Sequence, residues 1–192
     1  MPLLETACNF LVREDAPEPC DLIFVLAGRW ERKPYGLQLF SQSLAPRLII
    51  STGRFEVRQT AAALGNIPEL LALRDQTPPE RRHFWLDFKH DQPAIVVAGL
   101  KRASTFWELH ALASYLEAEP PTSITVISTS IHLRRVQLCC ARIPFFKDKV
   151  IRFLPVPEQQ SSFRREKWWK RTDHWSYLVS EYVKLVGYGV VY

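Results

Sequence analysis

The sequence predicts a single three-layered α/β domain built on a mostly parallel sheet of about five strands. Three observations carry this. Short apolar runs alternate along the chain with segments of helical periodicity, which is the pattern of strand–helix–strand units. The runs are apolar on both faces, as strands covered by helices on either side must be. At 192 residues, 47% of them hydrophobic, the chain is long enough for one sizeable core over residues 1–192 and short for two.

The elements follow in order. Pro2 to Arg13 reads as a helix, closed by an acidic, proline-broken loop through Asp15, Pro17 and Pro19. Asp21 to Ala27 is the first strand, and Gly28 ends it, permitting a tight turn. Glu31 to Ser43 is a helix. Arg47 to Ser51 is a second strand, closed by Thr52-Gly53. Helical patterns run from Glu56 to Leu64 and from Pro68 to Leu73, the latter with proline at its start. Residues 75–92 are the least regular stretch. Within it His83 to Lys89 suits an extra strand, hairpinned onto Ala94 to Ala98 through the turn His90-Asp91-Gln92-Pro93. Ser104 or Thr105 caps a helix to about Ala118. Ile124 to Ile127 is a buried parallel strand, and Ser130 is placed to cap a helix over Ile131 to Arg142, stopped before Pro144. Val150 to Leu154 is the last strand, and a helix carrying Leu178, Val179, Tyr182, Val183 and Val186 closes the chain.

In a parallel sheet the carboxyl ends share one edge, where open α/β sheets bind ligands. Four loops are expected there, contributing Gly28, Arg29 and Arg32; Ser51, Thr52 and Gly53; Ser104, Thr105 and Glu108; and Ser128, Thr129, Ser130, His132 and Arg135. Hydroxyls, free backbone N–H groups and guanidinium forks together suit a phosphate or carboxylate. The last loop is the most pointed. His132, Arg134 and Arg135 open a helix whose positive dipole end they oppose, and no acid lies between Glu119 and Asp148 to offset them. A bound anion reverses that cost. His132 is the acid/base candidate. A solvated basic helix start is the plainer alternative, because 25 Lys and Arg must fall somewhere in a chain of net charge +5.

Other chemistries find less support. Five histidines lack an i, i+4 pair, so no metal site is expected. No loop carries a G-x-S-x-G elbow, a phosphate-binding loop or a dinucleotide fingerprint. Cys8, Cys20, Cys139 and Cys140 form no C-x-x-C and read as reduced thiols of a cytoplasmic protein. No secretory leader and no apolar run of about 20 residues is present. Arg164 to Arg171, basic and rich in tryptophan, suits a surface segment packed on the body, a contact with an anionic membrane surface, or, least of all, stacking on nucleic acid.

The order and spacing of these pieces resemble the YdcF/SanA/ElyC family of bacterial proteins, a domain of unknown function, along nearly the whole chain. The resemblance rests on Asp21 to Gly28 with Arg32, Ala45 to Gly53, Ser104-Thr105 with Glu108, His132 with Arg135 as an H-x-x-R element, and Glu181-Tyr182 to Tyr192. Departures stand beside it. The Gly-Gly pairs after the first two strands are Gly28-Arg29 and Gly53-Arg54, and Ser104 and Trp107-Glu108 replace the family's Asn and Glu-Asn. Gly99 stands where an acid is common. The resemblance implies a Rossmann-like fold, a link to the cell envelope and a nucleotide-type ligand. Two functions follow as expectations: binding of a small anionic molecule at the sheet edge, with or without catalysis, and membrane-peripheral action through the basic-aromatic segment.

Overall fold

A computed structural model describes residues 2–65, 67–89 and 93–191. The described elements are α1 (Pro2–Leu11), β1 (Leu22–Val25), α2 (Arg32–Ser41), β2 (Leu48–Gly53), α3 (Val57–Ala63), α4 (Pro68–Gln76), β3 (His83–Phe88), β4 (Ala94–Val97), α5 (Thr105–Leu116), β5 (Ser123–Ser128), α6 (Leu133–Arg142), β6 (Val150–Pro155) and α7 (Thr172–Val191).

The strands form one six-stranded sheet in the order β4-β3-β2-β1-β5-β6. β1 pairs in parallel with β2 and β5, and β5 with β6. β2–β3 and β3–β4 pair antiparallel. The sheet is therefore mixed and has one strand more than the five expected. The hairpin suggested by the sequence is the reason, since its first arm, β3, inserts between β2 and β4. Its turn at His90–Gln92 lies outside the described residues. Because β4 reverses β3 and β3 reverses β2, β4 runs in the same sense as β2. The ends of β1, β2, β4 and β5 thus meet at one edge, and His83, the first residue of β3, stands opposite Gly53 there.

Strand residues alternate between two cores. Phe24, Ile49, Trp85 and Val126 face Leu109, Leu112 and Val136 of α5 and α6. Ile23, Ile50, Phe84 and Ile127 face Leu39, Ala61 and Leu70 of α2, α3 and α4. This pleated alternation explains why the runs had to be apolar on both sides. Gly36 lets α2 lie close on the sheet, since a Cβ there would sit 2.3 Å from Val25 Cγ2. α7 lies against α1 and α6, burying Leu178 with Cys8, Leu11 and Trp168. Burying a side chain such as Leu178 is worth about 1.5–3 kcal/mol.

Two acid staples fix the amino edge of the sheet. Asp21 accepts hydrogen bonds from the Thr122 hydroxyl (2.6 Å) and from the N–H groups of Thr122 (2.8 Å) and Ser123 (2.9 Å), which holds its carboxyl down to about 2. Arg47 grips Asp87 through Nε (3.0 Å) and an Nη (2.7 Å), locking β2 to β3.

Candidate functional site

A cavity of about 640 Å³ opens over the carboxyl edge. Ala27, Gly28, Gly53, Ser104, Thr105, Glu108 and His83 line its inner part. Gly28 turns the chain out of β1 at φ +116°, a left-handed conformation that side chains rarely adopt. Ser104 caps α5, its hydroxyl accepting from Trp107 N–H at 3.4 Å. The outer part carries five cations, Arg54, Arg81, Arg82, Lys101 and Arg102, against one acid, Glu80. Arg82 is braced by a bond to Thr77 O (2.8 Å), while Arg54 lies over the Phe55 ring and Lys101 over that of Trp107.

Behind the cavity two polar networks are packed. In the first, Ser51 Oγ lies 2.7 Å and Glu108 Oε1 3.7 Å from His83 Nε2. Glu108 also accepts from Ala27 N–H at 2.9 Å. Burial alone raises a carboxyl, but hydrogen bonds from His83, Ser51 and Ala27 hold Glu108 below its usual range. Glu56 closes the neighbouring turn, accepting from Gly28 N–H (2.7 Å) and from the fully buried Lys33.

The second network lies under α7. Arg32 donates to Ala27 O and to Thr129 Oγ1 (3.1 Å) and sits 3.2 Å from His132 Nδ1. Ser128 Oγ is 2.7 Å from the same nitrogen. Arginine has no acceptor, so Nδ1 must be the unprotonated nitrogen and Nε2 carries the hydrogen. That hydrogen points at Thr105 Oγ1, 3.3 Å away, which also accepts from Arg135 at 2.6 Å. Arg135 in turn grips Glu181 of α7 through two bonds, at 3.0 and 3.1 Å. Burial, then Arg135 and Arg32, hold the His132 imidazole well below its usual pKa, so it is neutral.

The sequence-derived residues therefore divide. Gly28, Gly53, Ser104, Thr105 and Glu108 line the cavity, and Ser51 backs it through His83. Arg32, Ser128, Thr129, Ser130, His132 and Arg135 are buried beneath α7, and the network reaches the cavity through Thr105 and through the bond from Arg32 to Ala27 O. His132 and Arg135 do not project from an exposed helix start, because Glu181 and the α7 side chains cover them. Nor does Ser130 cap that helix. It opens a 3₁₀ turn, Ser130–His132, ahead of α6, and neither start is capped by a side chain. Thr52 is fully buried, and among the described residues its hydroxyl has no partner. Arg29 turns away, stacking on Tyr177 (4.1 Å) and donating to Ser162.

His83, Arg81 and Arg82 were not among the sequence candidates. Their signal lay in the hairpin itself: a strand paired antiparallel with β2 must begin where β2 ends. Among the described residues no group of three or more His, Cys, Asp or Glu is placed to hold a metal ion, and no helix is long and apolar enough to cross a membrane. No protein-family model matches the chain, no curated protein matches it, and no solved structure matches it.

Proposed function

We propose that the protein binds a small anionic molecule, of phosphate or nucleotide type, in the cavity at the carboxyl edge. The observation that carries this reading is the charge of the cavity mouth, five cations against one acid on a wall of strand ends. The volume suits a nucleotide-sized ligand. In this reading the chain is a Rossmann-like, YdcF-type cytoplasmic domain, and its four free, buried thiols are in keeping with that compartment. Thr105 is the inner contact. Its oxygen already accepts from His132 and Arg135, so its own hydrogen is left to donate into the cavity. His132 and Arg32 act by setting that direction.

Calorimetric titration with inorganic pyrophosphate and ADP tests the reading. Saturable, salt-sensitive binding is expected. Thr105→Val should weaken pyrophosphate binding by about tenfold, the worth of one hydrogen bond to a charged acceptor at its lower limit. Thr105→Ser should restore it, although Val also leaves the Arg135 and His132 donors unpaired and lowers stability. Equal affinity in the wild type and Thr105→Val removes Thr105 from the site, and no binding of either probe ends the proposal.

One observation favours membrane-peripheral action as a second reading, though not by the segment first expected. Trp168 is buried and Trp169 partly so, which leaves the aromatics of Arg164–Arg171 packed on the body. The exposed apolar surface is instead the outer row of α7, Val179, Val183, Val186 and Val190, beginning at half-exposed Trp175, with Lys167, Lys170 and Arg171 exposed at its amino-terminal end. Such a row beside cations suits an anionic lipid surface. Co-sedimentation with phosphatidylglycerol vesicles should then fall several-fold in Val179→Ser/Val183→Ser/Val186→Ser. Wild-type protein that stays in the supernatant rules this reading out.

A further inference from the structure

The inner wall of the cavity holds a proton relay that ligand binding alone does not require. His83, Ser51 and Glu108 come from β3, β2 and α5 and meet at one imidazole nitrogen. Glu108 is ionised, and its Oε1 lies 3.7 Å from His83 Nε2. A hydrogen on Nε2 donates to Ser51 Oγ at 2.7 Å and faces the Glu108 carboxylate, so carboxylate, hydroxyl and imidazole are all served. Ser51 is fully buried, so it is a relay atom and no nucleophile. His83 lines the cavity, its side chain 15% exposed, and among the described residues Nδ1 has no hydrogen-bond partner. An imidazole whose Nε2 is engaged by a serine and a carboxylate, and whose Nδ1 has no partner among the described residues, has on this cationic wall the arrangement of a general base.

We propose that His83 is the general base of a phosphoanhydride hydrolysis carried out in this cavity, a proposal that rests on the anion-binding reading above. A water molecule at Nδ1 gives its proton to the imidazole as its oxygen bonds to phosphorus. The bond from phosphorus to the bridging oxygen breaks, and that oxygen leaves with the electron pair as a phosphate anion. The imidazolium, stabilised through Ser51 by Glu108, then returns its proton to solvent. The anhydride class follows from the wall's lining: among the described residues, the only acid or imidazole on it besides ionised Glu108 and His83 is Glu80 at the mouth, which offers an alkoxide leaving group no inner proton donor. A phosphate leaving group needs none. The cations at the mouth offset the charge that develops on the phosphoryl oxygens.

Phosphate release from inorganic pyrophosphate and from ADP, with and without magnesium chloride, tests the step across about pH 5.5–9, the range in which an imidazole changes charge. The charged groups facing His83 are Glu108 from α5, Glu80, Arg81 and Arg82 from the segment before β3, Arg54 after β2, and Lys101 and Arg102 after β4. Wild-type protein should release phosphate with a rate that falls on the acid side. His83→Asn should lower kcat by about a hundredfold or more while binding of inorganic phosphate stays within about threefold. Full kcat in His83→Asn overturns the proposal. So does a wild type that binds inorganic phosphate yet releases none from either probe, which leaves the anion-binding reading standing. A wild type that binds none of inorganic phosphate, pyrophosphate and ADP overturns both.

Discussion

Replacing Glu181 by Ala is expected to destabilise the protein by about 3–5 kcal/mol, the cost of leaving a buried charge without its partner. Glu181 holds both forks of Arg135 at 3.0 and 3.1 Å, and the two side chains are 3% and 8% exposed. Arg135 keeps one bond, to Thr105, and otherwise faces the Tyr188 ring and apolar α6 neighbours. Its charge then has no carboxylate at hand and little water. For a chain of this length the melting temperature should fall on the order of 10 °C, at roughly 2–4 °C per kcal/mol. Arg135→Ala should cost less, since Glu181 keeps the Lys184 ammonium 3.3 Å away. The double variant Arg135→Met/Glu181→Leu should recover most of the loss, because removing both charges also removes their desolvation. Calorimetric melting of the four proteins measures this. A loss under about 1 kcal/mol in Glu181→Ala would show a solvated surface pair, with the magnitude of one, and α7 would then not cover the network.

That pair also marks where the sequence stopped being legible. The strands were readable because each is an apolar run bounded by proline or small residues, and a buried strand leaves that imprint locally. β1, β2, β5 and β6 fall within or beside the runs that named them. The meeting of loops at one edge followed from parallel order, and β4 preserved it because two reversals restore the strand direction. The environment of His132 and Arg135 was not local. Within the window from Glu119 to Asp148 the helix start is uncompensated, yet the compensating acid arrives from position 181, on a helix whose docking no nearby residue announces. The cavity shows the same limit. Thr105 and Glu108 were found because they follow a strand, whereas His83 opens one and belongs to the site only through the register that sets it against Gly53. For the tryptophans of Arg164–Arg171 the packed reading holds, with Trp168 buried, though the sequence left a membrane contact open beside it because an interfacial and a packed tryptophan look alike.

His132 should make the stability of the protein pH-dependent in a window where carboxylates do not. Its imidazole is buried against Arg32 from α2 and Arg135 from α6, with Lys184 and Glu181 of α7 nearby. Burial first, and then Arg135, Arg32 and Lys184, hold its pKa well below 6.5 in the folded state. In the unfolded chain it titrates near its ordinary value of about 6.5. The contribution is therefore complete above that pH, where both states are neutral. As the pH falls below it, the unfolded state takes up a proton that the native state refuses. Stability drops by about 1.4 kcal/mol per pH unit until the buried imidazole also titrates. The loss sets in as the pH falls through about 6.5 and accumulates from there. His132→Gln lacks the titrating group. It should be less stable than the wild type at neutral pH, having lost a fitted donor and acceptor, and should lose stability less steeply on acidification. The two curves should converge towards pH 4.5, since the remaining histidines and the acids are common to both proteins and cancel in the difference. Urea denaturation of the pair at half-unit pH intervals tests this. Parallel curves over that window would mean that His132 accepts a proton in the folded state, and the assignment of its Nδ1 as the acceptor for Arg32, with Thr105 oriented by its Nε2–H, would fall with that result.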